Sequence, residues 1–358
     1  MSQGPTGNYK PAGMRGFYAD NLIINGNFDI WQRGTSFPGL SVVTYTADRW
    51  QYQSSNSGAV HTISRSTDVP TFAESGAQAT YSLLLDCTTA DATVESNNRV
   101  SIRHSIEGYN FAKVAQKDFT LSFWVKATKT GIYTIAFRNS GADRSYVVEY
   151  TINSSATWEK KVITVPASPS AGTWDYTNGI GIRIDFVIMA GTDFHTTPNA
   201  WQSANVQSTS NQVNGSDSTA NDFRLALVQL EEGVIASPFE VRSEADESDR
   251  CKRYYEKSYN SGQAPATITV DGAACQRSPG TSVHIMCLFS VEMRGTPTIV
   301  FYSSATGATG KARNITSGAD CNATAAGQSA GRTIAICDTT VADNNHIKVH
   351  YTADAELL

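Results

Sequence analysis

Charged residues are scarce in this 358-residue sequence. Asp, Glu, Lys and Arg together make up 17% of it, whereas about 25% is usual for soluble domains. Long amphipathic helices draw on Glu, Lys and Leu, so the composition argues against a helical protein. Ser, Thr, Asn and Gly are abundant instead, together with 10% aromatic residues, which is typical of pleated sheets joined by polar turns.

A basic stripe and a long apolar run are also missing. The formal net charge is -5 and is spread along the chain, whereas nucleic-acid binders cluster Lys and Arg against phosphates. No stretch approaches the ~20 apolar residues that span a bilayer, and the N-terminal residues lack the apolar core of a secretory signal. We therefore expect a soluble protein made in the cytoplasm, with no nucleic-acid partner and no membrane insertion.

Signatures of catalysis are absent as well. The sequence has no G-x-S-x-G elbow, P-loop, G-x-G-x-x-G after a strand, H-E-x-x-H or EF-hand spacing. We therefore expect a protein that is not an enzyme and requires no cofactor. A glycosidase needs only two carboxylates across a cleft, which a fold can assemble from any part of the chain, so the sequence does not refute that class.

The six cysteines include no C-x-x-C pair. A cytosolic product normally keeps its thiols reduced, so we expect them to be small, buried, hydrophobic side chains. Four of the six follow residue 270, and a disulfide in that last part of the chain is the alternative. The six residues are Cys87, Cys251, Cys275, Cys287, Cys321 and Cys337.

From residue 21 onward the sequence consists of short alternating runs separated by turn residues. In FTLSFWVKA, for example, alternation places Phe119 and Phe123 on one face and Trp124 on the other. This pattern predicts an all-β fold, with a jelly-roll β-sandwich over residues 21–242 and a second, smaller β-sandwich over residues 259–358. The Gly- and Pro-rich residues 1–20 predict an extended N-terminal arm.

One segment predicts a helix, which we interpret as a linker over residues 243–258. Ser243 is a good N-cap, acidic residues come early and basic residues late, as the helix macrodipole prefers. Cys251, Tyr254 and Tyr255 form an apolar face at i, i+3 and i+4. That face packs either within its own chain or on a symmetry mate.

Aromatic residues are the candidates for a sugar-binding surface. A ring offers an apolar platform to pyranose C–H groups, while nearby polar side chains bond the hydroxyls. For each aromatic residue the alternative is a role in the core or in anchoring a loop. The candidates are Trp50, Tyr52, Trp124, Trp174, Tyr176 and Trp201.

Three blocks, at residues 21–50, 119–127 and 221–259, resemble bacteriophage tail-fibre or appendage proteins. The last block is the most specific, with LVQLEEG followed by SPFE and then CKRYYEKSY. The resemblance implies a structural virion component that binds host-surface glycan for adsorption, contacts other virion proteins through its N-terminal arm, and forms a homotrimer. The alternative is a capsid-decorating, head-fibre or adaptor protein with a purely structural role.

Residues 21–240 also resemble the galactose-binding-like jelly rolls of carbohydrate-binding modules. The matching positions are Asp29 in NGNFD and Asp222 at the start of the last strand. In those modules such residues help to hold a structural Ca²⁺, a hard cation that carboxylate oxygens suit. The resemblance thus implies a structural calcium site at Asp29 and Asp222, although Asn221 stands where a second acid is expected, and turn capping is the alternative.

Overall fold

The computed structural model describes residues 20–278, 280, 282–338 and 345–357. Residues 1–19 of the predicted arm lie outside this range. In the described residues no helix has both the length and the apolar character needed to cross a membrane. The helices are α1 (Phe72–Ser75), α2 (Gly108–Phe111) and α3 (Glu244–Lys252), with a 3₁₀ turn at Thr192–Phe194.

Within residues 20–243, thirteen strands come before α3. They are β1 (Ser36–Leu40), β2 (Thr44–Tyr45), β3 (Trp50–Ser55), β4 (Val60–Ser66), β5 (Ser82–Thr89), β6 (Arg99–Glu107), β7 (Phe119–Ala127), β8 (Gly131–Asn139), β9 (Ser145–Ile152), β10 (Glu159–Val165), β11 (Ile180–Ala190), β12 (Trp201–Gln202) and β13 (Asp222–Glu232). They form a six-stranded sheet, β1-β4-β5-β13-β7-β10, and a seven-stranded sheet, β12-β9-β8-β11-β6-β3-β2.

The two sheets pack face to face around one apolar core. Phe119, Leu121 and Phe123 from β7 have no exposed area, and they meet residues such as Phe137 and Phe186 from the opposite sheet. Burial of alternate residues on facing sheets is the basis of a β-sandwich. The predicted all-β fold with a jelly-roll sandwich is therefore confirmed.

The first described residues cross the last strand of the sandwich. The Leu22 amide donates to the Leu230 carbonyl at 2.8 Å, and the Val228 amide donates to the Gly26 carbonyl at 2.8 Å. A Cβ atom on Gly26 would lie 2.1 Å from the Val228 carbonyl oxygen, so this close approach requires glycine. The NGNFD block thus ties the start of the jelly roll to β13.

Helix α3 is shorter than predicted. Ser243 caps it as expected, because its Oγ accepts from the Asp246 amide at 3.2 Å, but the helix ends at Lys252. Tyr255 then pairs with Asp354 in a β-ladder, and this tertiary pairing overrides the local helical pattern. Hence the interpretation of residues 243–258 as one linker helix is wrong beyond Lys252. Cys251 and Tyr254 pack within the chain, in a cluster with Ile24, Ile180 and Leu357.

In the described residues after α3, eight further antiparallel strands surround a second apolar core. The long strand β21 pairs with β14 and β17 toward its C-terminal end and with β15 and β18 nearer its start, so it organises this C-terminal unit. The strands are β14 (Tyr255–Lys257), β15 (Ala274–Ser278), β16 (Ser282–Leu288), β17 (Thr298–Ser303), β18 (Lys311–Asn314), β19 (Ala319–Ser329), β20 (Arg332–Asp338) and β21 (Asn345–Asp354).

The six cysteines are free thiols, and no disulfide joins them. Four are buried, as expected of small hydrophobic side chains: Cys87, Cys251, Cys287 and Cys337. Cys321 is half-buried. Cys275 on β15 is exposed, so for this residue the expectation of burial is wrong.

Candidate functional site

Three of the six predicted aromatic residues meet at one end of the sandwich. The ring centroids of Trp174 and Trp201 are 5.9 Å apart in an edge-to-face arrangement. The buried Phe111 of α2 stacks on Trp174 at 5.3 Å and on Tyr176 at 6.3 Å. Trp174 and Trp201 are half-buried, and Tyr176 is 37% exposed. We call Trp174, Tyr176 and Trp201 the aromatic cluster.

Hydrogen bonds fix the two indoles of the cluster. Trp174 Nε1 donates to the Ala171 carbonyl at 3.0 Å, and Trp201 Nε1 donates to the Pro166 carbonyl at 3.1 Å. Trp201 also contacts Tyr146 across the β9–β12 pair, with ring centroids 5.5 Å apart. The rings are therefore held in place without a ligand, which lowers the entropic cost of binding one.

A shallow depression of about 560 Å³ lies beside the cluster, lined by Ser140, Gly141 and residues 173–177. Asp175 accepts from the Thr177 amide at 2.6 Å and from its hydroxyl at 2.7 Å, and these bonds hold the pKa of Asp175 below its ordinary value. An ionised carboxylate is a strong acceptor for hydroxyl groups. The depression thus combines aromatic surface with a fixed acceptor.

Trp50 and Tyr52 lie in the core, not at a surface. Each has no exposed area. Trp50 Nε1 donates to the Asn25 carbonyl at 2.9 Å, and the Tyr52 hydroxyl lies 2.8 Å from His61 Nδ1, so the polar atoms of both rings are satisfied internally. The prediction that they contact glycan is wrong, because both side chains of β3 point into the sandwich.

Trp124 lies on the outer face of the six-stranded sheet, as alternation predicted, but that face is covered. Its exposed fraction is only 9%. Distant segments pack over it with Ala77, Ala79, Leu227, Trp158 and Phe239. A glycan-binding role for Trp124 is therefore wrong, since long-range packing closes the surface that the strand pattern left open.

Asp29 and Asp222 do not share a calcium site. Asp222 opens β13 and pairs with Arg224, whereas the loop that carries Asp29 crosses β13 at Val228. Six residues separate these points, about 20 Å at the rise of a strand. Asp29 lies near Glu244 and Glu247 instead. In the part of the chain that the structure describes, no three His, Cys, Asp or Glu residues form a group that could hold a metal ion.

A cavity of about 1060 Å³ lies between the jelly roll, α3 and the C-terminal unit. Its walls carry charges of both signs, from Asp29, Arg65, Glu244, Lys252 and Lys257. Burial lowers the pKa of Lys257 to about 8, although Asp48 opposes the shift. The Lys257 ammonium donates to the Gln32 carbonyl at 2.8 Å, so this side chain links the C-terminal unit to the jelly roll.

Four arginines on the outer face of the seven-stranded sheet were missed from the sequence. In the antiparallel ladders, Arg138 of β8 lies directly opposite Arg183 of β11, and Arg103 of β6 lies directly opposite Asp185 of β11. Arg99 lies on the same face of β6 as Arg103, because the two are four residues apart on the strand. Alternation in RVSIRHSIE could have placed Arg99 and Arg103 together. We call Arg99, Arg103, Arg138 and Arg183 the arginine face.

No protein-family model matches the chain, and no curated protein matches it. Among solved structures it is similar to the enzymatically active domain of tailspike protein 4 from bacteriophage CBA120, at 15% identity and a TM-score of 0.30, over 60% of this chain and 21% of that one. The chain thus spans about a fifth of the length of the tailspike structure.

Two carbohydrate-binding modules are also similar. A family 11 module from Clostridium thermocellum, solved with a β-1,3-1,4-mixed-linked tetrasaccharide, has 11% identity and a TM-score of 0.29, over 57% of this chain and 99% of the module. A xylan-binding domain from Paenibacillus barcinonensis has 12% identity and a TM-score of 0.28, over 61% of this chain and 97% of that domain. Likenesses at this level assign neither ligand nor role to this chain.

Proposed function

We propose that this chain binds polysaccharide without catalysis or a cofactor, through the aromatic cluster and the depression beside it. The observation that carries the proposal is the meeting of Trp174, Tyr176 and Trp201 at one surface. Pyranose C–H groups pack on such rings, and fixed acceptors such as Asp175 bond the hydroxyls. Both kinds of contact are present within residues 173–177.

The biological setting of the proposal is a phage appendage. The blocks at residues 21–50, 119–127 and 221–259 support it by their resemblance to tail-fibre proteins. Single sugar sites bind weakly, and several copies on one particle raise avidity without new contacts. We therefore propose a homotrimer, displayed on a virion after synthesis in the host cytoplasm, that joins other virion proteins through its N-terminal arm and adsorbs to host-surface glycan.

The test is a glycan array and a solution titration with the purified full chain. Trp174→Ala and Trp201→Ala should each weaken binding about ten-fold, as loss of an aromatic contact does. Phe72→Ala is the matched control, because Phe72 is an aromatic residue of α1 that is 64% exposed and lies outside the aromatic cluster. An array without a hit, or equal binding by the three variants, contradicts the proposal.

A further inference from the structure

The arginine face carries more positive charge than the protein neutralises. Arg103 Nε donates to Asp185 Oδ1 at 2.8 Å, and Arg138 Nη2 donates to Asp185 Oδ2 at 2.8 Å. Asp185 has no exposed area, and it is the carboxylate with which this face forms ion pairs in the described part of the chain. Four guanidinium groups therefore face one carboxylate.

The guanidinium groups of Arg99 and Arg103 have N–H donors that no described protein acceptor uses. Arg103 uses only Nε within the described residues, which leaves both terminal nitrogens without a protein acceptor. Arg99 Nε is buried without a hydrogen-bond partner, and its guanidinium carbon lies 5.2 Å from the Phe194 ring. The Arg103 side chain is 12% exposed and Arg99 is also partly exposed, so both stay in reach of a ligand while water screens them poorly.

The pKa values of Arg138, Arg99 and Arg183 reflect the crowding of like charges on the arginine face. Burial lowers the pKa of Arg138 to about 10, and Arg103 lowers it too, although Asp185 opposes the shift. Burial and then Arg103 likewise lower the pKa of Arg99 and of Arg183. An added anion relieves this repulsion, and a guanidinium fork matches the two oxygens of an oxyanion.

The arginine face adjoins the depression of the proposed function. Arg183 Nη1 donates to the carbonyls of Asn139 at 2.8 Å and Ser140 at 3.1 Å, and Ser140 lines the depression. Arg183, which lies opposite Ser105, is therefore next to the depression, whereas Arg99 lies six residues from Ser105 along β6, about 20 Å at the rise of a strand. A saccharide chain bound in the depression must extend along the arginine face to reach Arg103 and then Arg99. Ser101 lies on β6 between Arg99 and Arg103, on the same face, and its hydroxyl donates to Asp185 at 3.2 Å.

We infer that Arg99 and Arg103 bind an oxyanion carried by a saccharide, either the carboxylate of a uronic acid or a sulfate ester. The saccharide part of this inference rests on the proposed function, whereas the oxyanion part stands on the arginine face alone. The protein then discriminates acidic from neutral polysaccharide by charge. Its preference weakens as ionic strength rises, because salt screens partly exposed charges.

The experiment titrates the full chain with uronic-acid oligosaccharides, sulfated oligosaccharides, neutral oligosaccharides of equal length, and inorganic sulfate. Arg99→Gln should weaken binding of at least one acidic class about ten-fold, the loss expected for a charge-assisted hydrogen bond, and should leave neutral binding unchanged. Arg99 forms no ion pair within the described residues, so this variant should fold, and its melting temperature checks that it does. Arg332→Gln, at an exposed arginine of β20, is the control for charge removal.

The outcomes separate this inference from the proposed function. Equal binding of acidic and neutral oligosaccharides, unchanged in Arg99→Gln, overturns the inference and leaves the proposed function standing. Inorganic sulfate that binds as tightly as the oligosaccharides overturns the saccharide part. Binding of no saccharide overturns the proposed function and the saccharide part together, and sulfate binding that is then lost in Arg99→Gln supports the oxyanion part.

Discussion

The guanidinium carbon of Arg49 lies 3.5 Å from the centre of the Tyr254 ring. Arg49 precedes β3 in the jelly roll, whereas Tyr254 follows α3. Arg49 also pairs with Glu356 near the end of the chain, and each of these side chains is only 1% exposed. Arg33 reaches Glu356 at 3.4 Å and Asp354 at 3.1 Å. The jelly roll and the C-terminal unit are thus joined by buried charges.

Glu356→Gln tests this junction. It leaves the buried Arg49 without its counter-charge, so we expect a loss of about 3 kcal/mol in the free energy of unfolding. Asp354→Asn is the matched control, because it also removes a carboxylate from Arg33, but at a side chain that is 42% exposed, where about 1 kcal/mol or less is expected. Urea denaturation measures both. Equal losses would show that burial does not decide the strength of these pairs.

Alternation predicted the layers of the fold but not what covers them. In β7 it placed Phe123 in the core and Trp124 on the outer face, and both positions are confirmed. Phe239 and Trp158, which pack over Trp124, come from distant parts of the chain, and no local pattern encodes that contact. The end of α3 was missed for the same reason, since Tyr255 pairs with Asp354 across about 100 residues.

The exposure of Cys275 on β15 leads to a second prediction, on the order in which the cysteines are alkylated. Burial raises the pKa of Cys287 to about 11 and that of Cys337 to about 12, with nearby Cys321 adding to the latter. Thiolates are the reactive form, so Cys275 should be alkylated first in the native protein. Cys287 and Cys337 should react only after denaturation. Peptide mass spectrometry after brief iodoacetamide treatment reads this directly, and early labelling of either buried thiol contradicts it.

Asp29 predicts a dependence of stability on pH. Burial, and next the neighbouring Glu247 and Glu244, raise the pKa of Asp29 to about 6. A folded-state pKa above the unfolded value means that the folded protein holds the proton more tightly, so stability falls as pH rises from about 4 to about 6. Asp29→Asn removes this loss and retains an acceptor for Asn27, whose amide bonds Asp29 in the native chain.

The melting temperature of Asp29→Asn should exceed that of the native chain near pH 7.5. After allowance for solvent screening of this half-buried group, we expect the free energy of unfolding to rise by about 1 kcal/mol. Near pH 4 the two proteins should differ little, because both side chains are then largely neutral when folded. A destabilised variant at the higher pH would mean that ionised Asp29 makes a favourable contact, which contradicts the prediction.

The site could be predicted from sequence only in part. Trp174 and Tyr176 are two residues apart, so their shared surface follows from local spacing. Trp201 and Phe111 join them through the fold, and no sequence signal brings these segments together. Trp50 looked equally suitable as a ring but is fully buried, because aromatic residues serve both cores and binding faces.

Gly141 controls the shape of the depression. A Cβ atom there would lie 2.4 Å from the Cβ of Thr173, so Gly141→Ala must displace the loop that carries Trp174. The Gly141 amide donates to the Thr173 carbonyl at 3.1 Å, and this bond would be strained at the same time. We expect saccharide affinity to fall several-fold, on the order of 1 kcal/mol, with the core intact.

Gly331→Ala is the control, because a Cβ atom at Gly331 meets no atom within 4 Å and the residue lies in the C-terminal unit. Calorimetric titration gives the affinity, and thermal unfolding reports whether the fold survives. Since Trp174 Nε1 bonds Ala171 within the same loop, tryptophan fluorescence should also change in Gly141→Ala and not in the control. Unchanged affinity with a shifted tryptophan spectrum would place the saccharide elsewhere than this depression.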